Sequence, residues 1–354
     1  MLDLTRSATA SPALHSATQD PGTTWTRSGN VAIEAVPDAH AMPPPAPDTR
    51  WPRDGARSGI CGAVSPRVLR LPNHSYRMYY TQILPRTGHP AGANDYENAT
   101  TRILSALSTN GLSWMPEPGV RLTAEQGGAG PFRVVSSEVV PVPDAAHRMR
   151  MYFESCPGTQ LTENSIRSAI SEDGGLVWHL EEGDRLRIGG GNVMAPRIIF
   201  TGDGLVRLYV TQRDVGLLSA ISTDGGMNFT VEGPRLPEDP TAFAPEIVGL
   251  PEGGYRMYYS SQVSQRVVTE GGGQQIVSAT SPDGLAWRLD GAAVVPDGEG
   301  PDAVKASEMC TFELPTAAGE RKFGMVYEAC DGTTPNARGV WRIARAFAPG
   351  GTSI

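Results

Sequence analysis

The chain lacks any apolar run of membrane-spanning length, which excludes a helical membrane span and a membrane partner of that kind. Its first twenty residues, MLDLTRSATASPALHSATQD, hold no apolar stretch of secretory length, so a cytoplasmic location is the expectation. Cysteine is scarce. Cys61, Cys156, Cys310 and Cys330 form no CxxC pair and are expected to be reduced, small buried residues. The six histidines (His15, His40, His74, His89, His147 and His179) show no HxxxH or similar spacing, so neither a zinc site nor any other cofactor is expected. The glycines of Ile188–Asn192 do not open a helix, which argues against a phosphate loop. With a formal net charge of −8 and no basic stripe, the chain is no candidate for binding nucleic acid. No long segment keeps helical periodicity, whereas glycine (41) and proline (30) abound, and together these point to an all-β fold.

What is present is repetition. Five stretches share one pattern: SPRVLRLPNHSYRMYYTQ (65–82), SSEVVPVPDAAHRMRMYFES (136–155), APRIIFTGDGLVRLYVTQ (195–212), AFAPEIVGLPEGGYRMYYSSQ (242–262) and ASEMCTFELPTAAGERKFGMVYEA (306–329). Each reads as a β-hairpin: a short apolar strand, a polar turn, and a second strand rich in Tyr, Met and Val. Four are followed by a strand, an Asx-Gly turn and an aromatic residue: ILSALSTNGLSW (103–114), IRSAISEDGGLVW (166–178), LLSAISTDGGMNF (217–229) and IVSATSPDGLAW (276–287). Asx-Gly supplies the positive φ of a tight hairpin turn cheaply. Each unit is therefore a four-stranded antiparallel sheet, with a period of about 50 to 65 residues that is longer than common propeller repeats.

The two ends of the chain complement one another. DPGTTWTRSGNVAIEA (20–35) reads as a turn and a fourth strand without its first three, and GVWRIARA (339–346) as a third strand without a fourth. The N-terminal strand is expected to close the last sheet, giving a five-bladed β-propeller of four-stranded antiparallel blades. The expected layout is a disordered tail over 1–19, one propeller domain over 20–346 with its fifth blade shared by 20–36 and 304–346, a Pro-rich linker over 37–57 inside it, and a C-terminal tail over 347–354.

APEIVGLPEGGYRMYYSS resembles the APE(I/V)…YYLYYS pattern of the five-bladed propeller glycosidases, the group of glycoside hydrolase families 43, 32 and 68. SEDGGLVW (171–178) resembles the Asp-box, S-x-D-x-G-x-x-W, of sialidases and other propellers. In that turn Ser and Asp bond local amides and Trp covers the hairpin, a structural task. The resemblance spans the repeat pattern of residues 20–346 and implies the fold more firmly than a function.

Loop lengths select a face. The 1–2 and 3–4 turns are short, whereas loops such as 83–101, 124–132, 263–275 and 290–304 are long and lie on the face holding the starts of first strands and the ends of second strands, where sites usually lie. Five charged residues open the first strands: Arg67, Glu138, Arg197, Glu246 and Glu308. Folding each hairpin about its turn is expected to set Gln82 opposite Arg67, Glu154 opposite Glu138, Gln212 opposite Arg197, Ser261 opposite Glu246 and Glu328 opposite Glu308, within one residue. Two carboxylates that close cannot both ionise cheaply.

The family 43 pattern places acids at the first three of these openings. This chain has Arg67, Glu138 and Arg197 there, so the resemblance does not carry that mechanism over intact. The expected site is a shifted constellation: Glu138, Glu308, Glu246, Glu154 and Glu328 as candidate acid and base residues, with Arg67, Arg197, Gln82, Gln212 and Tyr80 binding substrate and no metal. Tyr96, Trp51 and Phe243 are further candidates for a stacking platform, and for all four aromatics packing is the plainer role. The expected activity is glycosidase-like, on a small sugar-containing or polyhydroxylated substrate whose anionic group, where it has one, the arginines hold. Alternatives are a lyase, isomerase or cyclase on the same scaffold, or a non-catalytic carbohydrate-binding or scaffold module in which the five charges only tie the blades together.

Overall fold

A computed structural model of the chain describes residues 19–37, 60–86, 99–142, 145, 147–159, 162–262, 273–315, 322–332 and 340–348. Tyr96, Trp51, most of the tail and linker expectations, and much of the long loops at 83–101 and 263–275 lie outside these residues.

The described chain is all-β. The first sheet runs Ala63–Arg70, Tyr76–Pro85, Ala99–Ser108, with Met115–Pro116 and Leu122–Thr123 both pairing its third strand. The second runs Arg133–Pro141, Met149–Cys156, Ser165–Ser171, His179–Leu180; the third Val193–Phe200, Val206–Gln212, Gly216–Ser222, Thr230–Pro234; the fourth Phe243–Gly249, Tyr255–Gln262, Gln274–Ser281, Arg288–Val294. In the fifth, Lys305–Glu313, Phe323–Cys330 and Trp341–Ala348 are followed not by later sequence but by Thr26–Ile33, which pairs antiparallel with Trp341–Ala348. That last strand runs past the expected boundary, with Phe347 opposite Thr26, because the N-terminal strand is there to pair it.

The first strands lie against one another in chain order, and Lys305–Glu313 returns against Ala63–Arg70. This is a propeller, and its core is divided among the spaces between sheets. Leu69, Tyr79, Val139, Met151 and Phe153 pack between the first and second sheets. Trp25, Tyr258, Met309 and Tyr327 pack between the fourth and fifth, and Val68, Met78, Cys310 and Val326 between the fifth and first. A second strand covered on both faces cannot alternate, which is why Met78, Tyr79, Tyr80 and Thr81 are buried in succession. Each such aromatic or aliphatic side chain contributes about 1.5–3 kcal/mol by burial.

The Asx-Gly turns clamp neighbouring sheets. Ser171 Oγ donates to Asp173 Oδ1, which also accepts Leu176 N and Val177 N at 3.0 Å each. Tyr79 of the preceding sheet donates its hydroxyl to Gly175 O and meets Trp178 edge to face. Tyr152 with Gly226 and Tyr209 with Gly284 repeat the bond. The N-terminal segment completes the series: Asp20 accepts Gly22 N, and Tyr258 donates to Gly22 O and packs on Trp25.

Candidate active site

Each first strand carries one non-glycine residue at positive φ: Ser65 (52°), Ser136 (50°), Ala195 (50°), Ala244 (49°) and Glu308 (37°). At each the register slips, so that two residues face one on the second strand. These are β-bulges, which re-aim side chains, and their shared geometry aligns the repeats without reference to sequence.

The bulge corrects two expectations. Arg67, Glu138, Arg197 and Glu246 lie opposite Tyr79, Tyr152, Tyr209 and Tyr258, whereas Gln82 faces Ala63, Glu154 faces Val135 and Gln212 faces Val193; Glu328 faces Ser307, within one residue of Glu308 as expected. Ser260, not Ser261, faces the first strand of its sheet at Phe243. Glu154 is therefore not the cross-strand partner of Glu138; the extra residue shifts the two apart. Second, the bulge at Glu308 makes Cys310, opposite Val326, the fifth counterpart of Arg67, Glu138, Arg197 and Glu246. Glu308 instead stands where the other four sheets have serine or alanine.

Two layers result. The deeper layer is an ion-paired belt around the axis. Arg67 pairs through Nε and Nη2 with Glu138 and through Nη1 with Glu246 Oε2, while Arg197 Nε approaches that same oxygen at 3.5 Å. Glu246 Oε1 accepts the amide and hydroxyl of Thr311 at 2.9 and 3.1 Å, and Glu138 Oε1 accepts Ile198 N. All four residues are sealed, with relative exposures of 0–2%. Charges alternate around the ring, and an odd number of positions cannot alternate to closure. The fifth position holds the Cys310 thiol, whose sulfur takes Arg67 Nη1 and Val68 N at 3.3 Å each; burial pushes its pKa up, which keeps it neutral.

The shallower layer borders a cavity of about 210 Å³ among first-strand starts and second-strand ends. That is small beside the roughly 300–1,000 Å³ of drug-sized ligand sites. Glu154, Glu308, Glu328 and Arg133 supply its charge; Ser65 and Thr211 add hydroxyls; Val64, Met194, Phe243 and Trp341 are among its apolar walls. The structure thus brings three of the five candidate glutamates together, with Phe243, and leaves Glu138, Glu246, Arg67 and Arg197 in the belt beneath. Gln82, Gln212 and Tyr80 do not line the cavity: Gln82 accepts Arg102 Nε at 2.8 Å, Gln212 packs on Gly191, and Tyr80 is buried in the core between sheets.

The three acids differ in what they have left to offer. At the second-strand position that faces the residue before the bulge, Thr81, Thr211, Ser260 and Glu328 accept the bulge amide of the next sheet, from Ser136, Ala244, Glu308 and Ser65 respectively. Glu328 also takes Ser307 Oγ at 2.7 Å, so both its oxygens are engaged. Glu154 occupies the same position in the second sheet, facing Val135. Its Oε1 accepts Asn164 Nδ2 at 2.6 Å and Cys156 Sγ at 2.9 Å, and its Oε2 has no partner among the described residues although the side chain is 3% exposed. Glu308 Oε2 accepts Ser136 Oγ at 2.9 Å, leaving its Oε1 likewise without a described partner.

Burial, with the charge of Glu308 adding to it, pushes Glu154 up to about 7 against the pull of the Cys156 thiol, Arg133 and Arg213. Burial and Glu308 also hold Glu328 well above the usual carboxylate range. Arg133, Asn164 and the bond made by Cys156 went unseen in the sequence reading. A signal was present: aligned second strands read MYYTQ, MYFES, LYVTQ, MYYSS and MVYEA, with glutamate twice where the repeat otherwise has a hydroxyl. Among the described residues no group of three or more His, Cys, Asp or Glu side chains is placed to hold a metal ion.

The all-β propeller is a fold shared with glycoside hydrolases. The chain is similar over 90% of its length to 92% of a family 117 glycoside hydrolase from Zobellia galactanivorans, with a TM-score of 0.58 at 15% identity. It also matches a structure from the GH130 family of mannoside phosphorylases and glycoside hydrolases (TM-score 0.60, 12% identity, 94% of this chain and 96% of that one). A thermostable family-43 glycoside hydrolase matches with a TM-score of 0.56 at 16% identity, over 81% of this chain and 89% of that one. No protein-family model and no curated protein matches the sequence.

Proposed function

We propose that the chain is a five-bladed propeller enzyme that hydrolyses a glycosidic bond of a small, neutral carbohydrate, with Glu154 as proton donor and Glu308 as the opposing carboxylate. The observation that carries this reading is the pair of carboxylate oxygens, Glu154 Oε2 and Glu308 Oε1, left without described partners in one cavity. Glycoside hydrolysis needs one carboxyl that holds a proton at working pH and a second that stays ionised, and unequal environments separate the two. Glu154, nearly sealed, retains a proton near neutrality. Glu308 is more open and takes a hydroxyl donor from Ser136. A neutral substrate is preferred to an anionic one because Arg67 and Arg197 are committed to the belt and Arg133 is outnumbered in the cavity lining by Glu154, Glu308 and Glu328. The structural likenesses support the scaffold, and the cavity supports the chemistry.

The test is turnover of a panel of aryl glycosides by wild type, Glu154→Gln and Glu308→Gln. Loss of a positioned acid or base costs about 10²–10⁴-fold in rate. Both variants should fold and lose turnover by that order; full activity in either removes that residue from the mechanism, and no turnover of any glycoside by wild type counts against hydrolysis.

A further inference from the structure

Glu154 and Glu328 are followed at two residues by cysteines, in ESC and EAC, and the structure gives the two pairs different work. Cys156 Sγ donates to Glu154 Oε1 at 2.9 Å, and Asn164 Nδ2 donates to the same atom at 2.6 Å. Glu328 takes its donors from Ser307 Oγ and Ser65 N instead. Asn164 is 2% exposed, and its backbone N–H donates to Asn192 Oδ1 at 3.1 Å, which ties it to the entry of the third sheet. Two donors therefore converge on one oxygen of a buried carboxyl while the other oxygen has none among the described residues.

An oxygen that already accepts two donors is a poor seat for a proton, because protonation there would displace one of them and leave it buried and unsatisfied. We propose that Asn164 and Cys156 are positioning residues that keep the exchangeable proton of Glu154 on Oε2, the oxygen left to the cavity. Delivered from Oε2, the proton passes to a ligand oxygen in the cavity and not back into the sheet; the carboxylate that remains is held by the same two donors. This assignment rests on the reading of Glu154 as proton donor. The charged and titratable groups acting on Glu154 are Cys156 on its own strand, Arg133 from the first strand of the same sheet, Arg213 beyond the second strand of the third sheet, and Glu308 from the fifth. Of these, Cys156 donates to Oε1.

The test is infrared difference spectroscopy of the unliganded protein across neutral pH, with the protonated-carboxyl band of Glu154 assigned by its loss in Glu154→Gln. Asn164→Ala and Cys156→Ala each remove a donor from the carbonyl oxygen of the acid and from the carboxylate. The band should rise in frequency, and its titration midpoint should rise by about one to two pH units. Cys156→Ser keeps a donor and should stay near wild type, and this pair remains informative where Asn164→Ala does not fold. A band indifferent to both alanine substitutions overturns the assignment, as does Cys156→Ser behaving like Cys156→Ala. A wild-type chain with no titrating Glu154 band overturns the proton-donor reading along with it. The expected shifts without turnover of any glycoside support the positioning roles and overturn only hydrolysis.

Discussion

Glu138 and Glu154 stand on neighbouring strands of the second sheet, both nearly sealed from solvent, and their environments are opposite. Glu138 meets Arg67 through both oxygens and takes the Ile198 amide as well. Glu154 has donors on one oxygen only among the described residues, and its side chain lines a cavity. The belt to which Glu138 belongs resolves the cost of buried charge by pairing it; the cavity layer leaves part of that cost standing, and the result is a carboxyl that exchanges a proton near neutral pH. Burial alone does not distinguish the two glutamates; the groups bonded to their oxygens do, and the proposed function rests on that difference.

The comparison breaks most severely if the belt is cut. Arg67→Ala takes the arginine from Glu138 and leaves Glu246 with Thr311 and the more distant Arg197, and removing one partner of a buried ion pair costs about 3–5 kcal/mol. Denaturant unfolding should show a loss of that size; a loss under about 1 kcal/mol would mean that water reaches the belt and that its residues are available for chemistry after all.

Next in size is a pH effect confined to the cavity. The carboxyl of Glu154 is raised from 4.5 to about 7, so between those values the native state binds more protons than the unfolded chain. Stability from this group is therefore present at low pH and lost as pH climbs through 4.5 to about 7, by about 3 kcal/mol. Glu328 adds a slope of the same sign. Glu154→Gln should flatten its share, seen as a smaller fall in unfolding free energy from acid to neutral pH than wild type shows. Equal slopes in the two proteins would put Glu154 in the class of Glu138. On the proposed role of Glu154 as proton donor, the same proton sets the alkaline limb: turnover should decline above about pH 7.

The propeller was legible because hairpin patterns and Asx-Gly turns are local signals repeated in order, and because the orphan strands at the two ends complement each other. The site was legible only to the right cluster of positions. A β-bulge adds one residue to a strand without changing its composition, so an alignment by Pro and charge set Glu308 beside Arg67 although the backbone sets Cys310 there. That slip of two residues hid the alternating ring, and with it the reason the arginines are not anchors in the cavity. Partnership was invisible for a different reason: Asn164 reaches Glu154 from a loop whose sequence carries no repeat, and nothing local marks it.

A smaller effect tests the clamps between sheets. Tyr152→Phe removes the hydroxyl, with its bond to Gly226 O at 3.1 Å and its contact with Arg150, and keeps the ring against Phe229. The expected loss is about 0.5–1.5 kcal/mol with turnover unchanged, since the bond is remote from the cavity. A change in turnover at equal stability would connect the rim to the site.

The smallest effect expected is at the turn itself, and it asks whether the rim aspartates act as charges or as acceptors. Asp173 Oδ1 takes Leu176 N, Val177 N and Ser171 Oγ, and these donors hold its carboxyl below the usual range against what little burial there is. The first sheet builds the same turn with an amide: Asn110 Oδ1 takes Leu112 N at 2.8 Å and Ser113 N at 3.0 Å. One neutral acceptor oxygen is therefore sufficient for the geometry. Asp173→Asn should change the unfolding free energy by no more than about 0.5 kcal/mol, whereas Asp173→Ala, which removes the acceptor, should cost about 1 kcal/mol. An asparagine variant as damaging as the alanine one would give the charge a role that Asn110 does without, and the contrast between belt, cavity and rim would have to be redrawn around electrostatics on the surface as well.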